Sequence, residues 1–287
     1  MSIPSPFTYT RPGTVDEALR ILSRDDAAKV IAGGQSLLPL LKLRLGAAET
    51  LVDIGRLGEL KGITELDDGR LSVGALTTYA ELIDSPAIHL GVLQDALPTI
   101  GDVQVRNLGT VGGAVAHADP VSDLPAALLA LNAEVVLQSA SGTRTVPVDG
   151  FFEGPFQTVA RHDEILTRVV LPAPRGDAGS AYVSLEQPAS GYSLVGVAAV
   201  LIATPGGLIE YAGVGVTGVS EHPYRASEVE AALVGTTAAP DVVAAAAEHA
   251  VSGRPVNSDI HANASYRAAM AVVYTRRAIA AALVRLA

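Results

Sequence analysis

The chain has 287 residues, 49% of them apolar and 17% charged, with a formal net charge of −10. That length supports a sizeable core and two or three compact units, which excludes a stapled mini-domain. The acidic balance, with no basic stripe and only Lys29, Lys42 and Lys61 as lysines, argues against nucleic-acid binding. There is no cysteine. Disulfides, thiolate-held iron–sulfur clusters, thiolate zinc sites and a cysteine nucleophile are therefore excluded from this chain, and such chemistry needs another one. No window approaches an uncharged membrane span, and the opening MSIPSPFTYTRPG lacks a basic region followed by an apolar run. A cytoplasmic protein with no membrane span is expected.

In chain order, Thr14 and Glu17 predict a capping box before the helix containing ALRIL. Lys29 to Ala32 reads as a short strand running into Gly33-Gly34, Leu37 to Leu45 as a helix-like apolar stretch, and Thr50 to Ile54 as another strand. This small α/β unit ends near Ile54. Leu71 to Gly74 reads as a strand, and Thr78 with Glu81 as a second capping box. Val103 to Asp123 carries a glycine-rich turn, Ala126 to Leu131 is helical, and Ala133 to Leu137 pairs with Arg144 to Val148 across Ser141-Gly142.

LPAPRGDAGS, Leu171 to Ser180, concentrates Pro, Gly and Ser and marks a boundary. Beyond it, Val195 to Ala203 and Leu208 to Val216 form a hairpin around Thr204-Pro205-Gly206-Gly207. Helices follow at Arg225 to Leu233, Asp241 to Ala250 and Tyr266 to Leu286, so the tail is a strand layer covered by helices. The fold class is α+β.

Two glycine segments carry the chemistry. In Lys29-Val30-Ile31-Ala32-Gly33-Gly34-Gln35-Ser36-Leu37, a strand stops at two glycines; exposed N–H groups there suit a pyrophosphate, and an ordinary strand-to-helix turn with Ser36 as N-cap fits equally. In Asn107 to Ala114, Gly109, Thr110, Gly112 and Gly113 suit a second side of the same diphosphate. Asp123, ten residues on, suits either a ribose hydroxyl or a helix cap before Pro125.

The pair AGGQSLLPLLKLRL and QVRNLGTVGGAVAHADPVSDLPA, some seventy residues apart, resembles the medium, FAD-binding subunit of the xanthine dehydrogenase and carbon monoxide dehydrogenase class, with similar subunits in quinoline oxidoreductase. The likeness extends over FTYTRPGTVDEAL, LVDIGRLGELKGI, the EGPFQT region and SYRAAMAVVYTRRAI. It implies a two-part FAD-binding domain of the PCMH (vanillyl-alcohol-oxidase-like) type over 1–176, with subdomains of about 1–56 and 57–176, and a C-terminal domain over 177–287 with an antiparallel sheet and helices.

The resemblance also implies roles. Ile31, Ala32, Gly33, Gly34, Gln35, Ser36 and Leu37, with Lys29 before them, would wrap the FAD diphosphate. Gly109, Thr110, Gly112 and Gly113 would meet it from the other side, and Asp123 would take the adenosine ribose. Ala75, Leu76, Ile100 and Leu166 fall where the family lines the cofactor, and Tyr192 where an aromatic residue lies near the isoalloxazine ring. Glu186 stands where relatives commonly carry a base, and Gly191 where they carry an acid, which bears on flavin potential and acceptor. The implied function is electron transfer from [2Fe-2S] clusters on a small partner subunit, with a molybdenum cofactor on a large one, to an external acceptor, in a dimer of heterotrimers. No residue of this chain is assigned a catalytic or metal-binding role. A self-contained FAD oxidase and a cofactor-free assembly subunit are the alternatives.

Other signals are weaker. Gly213 to Gly218 satisfies G-x-G-x-x-G, but Pro223 interrupts what should open a helix. His117, Asp119 and Asp123 have poor metal-ligand spacing, and Ser36 and Ser193 lack a nucleophile motif. Arg267, Arg276 and Arg277 predict either a partner-facing or a solvated helix face.

Overall fold

The computed structural model describes residues 4–286; the first three residues of the opening segment and residue 287 lie outside the described residues. Strand β1 (Thr8–Thr10) precedes helix α1 (Val15–Leu22), whose buried Val15, Ala18, Leu19 and Leu22 follow the helical period. Thr14 Oγ1 accepts from Glu17 N at 3.2 Å, but the Glu17 carboxylate accepts from Gly13 N at 2.7 Å rather than closing the expected box on Thr14. Strand β2 (Ala28–Ile31), helix α2 (Leu37–Lys42) and strand β3 (Thr50–Asp53) complete a parallel sheet ordered β1-β3-β2. Strand β1 is not visible in the sequence pattern, and α2 is shorter than the apolar run that suggested it, because Leu43 and Leu45 turn outward after its end.

Strands β4 (Ile63–Glu65) and β5 (Leu71–Gly74) lead to helix α3 (Tyr79–Ile83), where Thr78 and Glu81 form a complete capping box. Helices α4 (Gly91–Ala96), α5 (Val103–Leu108), α6 (Val111–His117) and α7 (Asp123–Ala130) follow. The segment read as a glycine-rich turn is thus two short helices, with Gly112 and Gly113 inside α6. Strands β6 (Glu134–Ser139) and β7 (Gly142–Pro147) form the expected hairpin, although its two loop residues are Ala140 and Ser141, and Gly142 begins the return strand with φ 139°. After the small pair β8 (Phe152–Gly154) and β9 (Gln157–Thr158), strand β10 (Ile165–Leu171) closes an antiparallel sheet ordered β4-β5-β10-β6-β7.

The last sheet, also antiparallel, is β11 (Ala178–Glu186), β12 (Ser193–Ala203), β13 (Ile209–Thr217) and β14 (Tyr224–Arg225). Both faces of β12 are covered. Val195, Val197, Ala199 and Leu201 join the core beneath helix α10 (Ala264–Val284), while Ala198 and Val200 join the core that contains α7. A strand buried on both sides reads as one apolar run, which is why this hairpin is plain in the sequence. Helices α8 (Ser227–Leu233) and α9 (Pro240–Ala247) complete the cover.

Every residue of α7 is buried, and it lies directly on β13. Added Cβ atoms at Gly213 and Gly215 would fall 2.1 Å and 2.0 Å from the carbonyl oxygens of Ala130 and Ala126. The G-x-G of this strand therefore serves the close contact of α7 with the sheet. Among the described residues, no helix is long and apolar enough to cross a membrane.

Candidate cofactor-binding cleft

The carboxyl end of β2 opens into the first glycine segment. Gly34 adopts φ 71°, a left-handed turn open to glycine at little cost, and Ser36 returns to the helical region before α2. Among the described residues, the backbone N–H groups from Gly33 to Leu37 have no protein acceptor, while Gly34 O accepts from Leu38 N at 3.1 Å. Ser36 sits at the N-cap position, but its hydroxyl makes no capping hydrogen bond. A row of unclaimed donors around a left-handed glycine suits an anion.

The second segment differs from expectation. Val111 N donates to Thr77 O (3.0 Å), Gly112 N to Ala75 O (2.8 Å) and Gly113 N to Thr110 Oγ1 (3.1 Å), so these N–H groups are already used. Its glycines answer to packing. A Cβ at Gly112 would lie 2.5 Å from that of Ala75, and one at Gly109 would lie 2.8 Å from the Tyr79 ring. At Gly113 the added atom would meet only Thr110 and otherwise open space.

The two segments touch. A Cβ on Gly33 would stand 1.9 Å from Leu108 O and 3.2 Å from Gly109 Cα. Glycine at position 33 is thus what lets the nest abut the α5–α6 corner.

Asp123 is the first residue of α7, after Ser122, and caps nothing. It is 7% exposed; its Oδ1 accepts from the Tyr182 hydroxyl on β11 and from Ser193 Oγ (2.5 Å) at the start of β12. Burial pushes its pKa up to about 6 against the two hydroxyl donors, and the nearby carboxylates of Glu186 and Asp119 add to the rise. Tyr192, 57% exposed, stands beside Asp119 and Asp123; partial burial and their negative charge raise its phenol pKa. Tyr79, Tyr182, Tyr192, Asp119 and Glu186 are therefore each within electrostatic reach of Asp123.

The remaining expected residues sort by burial. Ile31 packs with Leu41, Ala48 and Leu51, with Leu37 against them. Leu76 is 2% exposed among α1 side chains, and Leu166 lies in the main core, so both turn their side chains inward. Ala75 supports Gly112, and Ile100 is half-buried. Lys29 is exposed at mid-strand. The His117 ring lies 5.1 Å from that of Phe156, tilted by 50°, and its pKa is held below the usual value by burial. No metal-holding group of His, Cys, Asp or Glu exists among the described residues.

Sequence reasoning did not find Tyr182, whose strand was hidden by the linker-like Gly179-Ser180, nor Arg106, whose guanidinium donates to the carbonyls of Pro98, Ile100 and Gly101 at 3.2, 3.0 and 2.8 Å. Ser193, which lacks a nucleophile motif, instead donates to Asp123 Oδ1. Arg267 on α10 is neither partner-facing nor solvated: it is buried, donating to Leu194 O and Gly218 O at 2.7 Å and to Asp259 Oδ2 at 2.5 Å.

Comparison with known proteins gives two family matches. Residues 5–174 match the FAD binding domain in molybdopterin dehydrogenase, and residues 180–282 the CO dehydrogenase flavoprotein C-terminal domain. The chain is 38% identical over 277 residues to the glyceraldehyde dehydrogenase medium chain of Sulfolobus acidocaldarius, covering 96% of this chain and 98% of that one. It is 35% identical over 281 residues to the nicotine 6-hydroxylase medium subunit of Paenarthrobacter nicotinovorans, covering 97% and 98%. A solved carbon monoxide dehydrogenase structure from Hydrogenophaga pseudoflava superposes with a TM-score of 0.95 at 38% identity, over 99% of this chain and 100% of that one.

Proposed function

Because the chain belongs to the family of FAD-binding flavoprotein subunits of molybdenum-containing oxidoreductases, we propose that it carries electrons within a heterotrimer, from [2Fe-2S] clusters on a small subunit to an external acceptor. Substrate would be oxidised on a large molybdenum subunit, and two such trimers would pair in the cytoplasm. The observation that carries the reading is the row of unclaimed N–H donors at Gly33 to Leu37, closed on one side by direct contact with the Leu108–Gly109 backbone.

The residues present fit FAD. The donors from Gly33 to Leu37 would hold the diphosphate without a lysine or arginine, since neither occurs in that stretch. Gly113 would leave the second side of the site clear, and Thr110, already receiving Gly113 N, would stiffen that edge. Asp123 would accept from a ribose hydroxyl, and Tyr192 would offer a half-exposed ring to the isoalloxazine. Ile31, Leu37, Leu76 and Leu166 would fix the backbone around the cofactor through their packing. Bound FAD supplies a carrier that passes electrons singly or in pairs. The chain's contribution is to bind, orient and screen; no side chain is assigned as general acid or base. The absence of cysteine agrees with electrons arriving from clusters held elsewhere. With the division into 1–176 and 177–287, the phosphate nest would fall in the first part and Tyr192 in the second.

Two relatives with differently named substrates, a glyceraldehyde dehydrogenase and a nicotine hydroxylase, share this chain's length, which suits a subunit that does not choose the substrate. The test is the mass of the chromophore released from the natively purified complex, with identification of every copurifying chain. FAD with a molybdenum subunit and a cysteine-rich iron–sulfur subunit is the expected result. FAD on a lone chain that oxidises a substrate by itself would replace this reading with the oxidase, and no flavin at all would leave the assembly subunit.

A further inference from the structure

We infer that Tyr182 and Ser193 are positioning residues for the cofactor, acting through Asp123: their hydroxyls saturate Oδ1 and leave Oδ2 as the acceptor presented to the cleft. The inference rests on the reading of Asp123 as a cofactor ligand and extends it to two residues of the C-terminal sheet.

Both hydroxyl donors reach the same oxygen, Oδ1. Among the described residues, Oδ2 has no protein donor, yet it is absent from the buried polar atoms that lack a partner. Oδ2 therefore keeps some exposed surface. A carboxylate with one oxygen fixed by two donors cannot rotate without breaking both bonds, so the second oxygen keeps one direction.

The fold makes room for this arrangement. A Cβ at Gly196 would fall 2.1 Å from the Tyr182 hydroxyl, so the glycine on β12 is what admits the phenol. The loop leading to Asp123 is held by the same sheet: Thr217 Oγ1 and Gly218 N both donate to Pro120 O at 2.9 Å. Arg267 in turn ties Leu194 O, beside Ser193, to Gly218 O. The C-terminal sheet thereby sets the position of a residue that belongs to the first part of the chain.

A double-mutant cycle tests the inference, using FAD dissociation constants of the full chain stripped of flavin and retitrated, with the melting midpoint of each flavin-free variant recorded alongside. Tyr182→Phe and Ser193→Ala should each weaken FAD binding by roughly tenfold, the scale of one hydrogen bond to a charged group. Ser193→Thr, which keeps the hydroxyl, should restore it, and neither change should add anything in an Asp123→Ala background. If Asp123→Ala leaves FAD affinity unchanged, the ligand reading of Asp123 fails and this inference with it. If Asp123→Ala weakens FAD while the hydroxyl variants do not, or their effects persist undiminished without Asp123, the ligand reading stands and the positioning role falls. Lower melting midpoints with unchanged affinity would make the three residues a structural latch only, which also overturns it.

Discussion

Asp123 keeps a carboxyl group where water hardly reaches, and that has a measurable consequence for stability. Its folded pKa of about 6 lies above the ordinary 3.8. The folded state therefore binds this proton more tightly than the unfolded chain does. The resulting stabilisation is fully present below the unfolded value and is lost as pH rises through about 6. Above that, the ionised group costs the fold on the order of 3 kcal/mol. Asp123→Asn retains an oxygen to accept from Tyr182 and Ser193 but carries no charge. In the flavin-free chain it should raise the melting midpoint at pH 8 and leave it unchanged near pH 4; an equal shift at both pH values would place the effect in packing instead. Arg267 gives the opposite case, a buried cation held by two carbonyls and Asp259. Arg267→Leu strands both carbonyls, and chemical denaturation should register a loss on the order of 3 kcal/mol.

Where packing rather than propensity decides an element, the sequence misleads about it. Gly112-Gly113 reads as a turn because glycine disfavours helices, yet α6 forms there since only a residue without Cβ can lie against Ala75. Gly179-Ser180 reads as linker, yet β11 passes through it because α10 brings Ala282 O to within 2.1 Å of where a Cβ would be. In contrast, β12 and β13, the Thr78 capping box and the Gly33-Gly34 turn are legible, because apolar runs, caps and positive-φ turns are written locally. The contact of α7 with β13 is open to direct test. Gly215→Ala puts a methyl group 2.0 Å from Ala126 O, so α7 must shift. The cost should be about 2 kcal/mol in a denaturant titration. Because Asp123 begins α7, FAD affinity should fall as well; unchanged affinity would show that the helix start moves independently of its middle.

At the scale of the molecule, one core joins the five-stranded and C-terminal sheets: Leu124 and Leu128 of α7 share a cluster with Tyr182, Ala198 and Val200 of the C-terminal sheet and with Val135 and Val169 of the five-stranded sheet. Long-range closeness of this kind is not written in local sequence, which is why the two glycine segments were legible as motifs while Tyr182 and Ser193 were not. It also predicts a single cooperative unfolding transition when core and cleft are followed by separate probes. Gly113 offers the most direct test of the proposed FAD site, because an added Cβ there would meet only Thr110 and otherwise open space. FAD titration of the full flavin-free chain, wild type against Gly113→Val, should show tight binding in the first and none in the second, with stability changed only by the strained Thr110 cap, about 1 kcal/mol. Full FAD occupancy in Gly113→Val, with its melting midpoint preserved, would contradict the cleft as the FAD site.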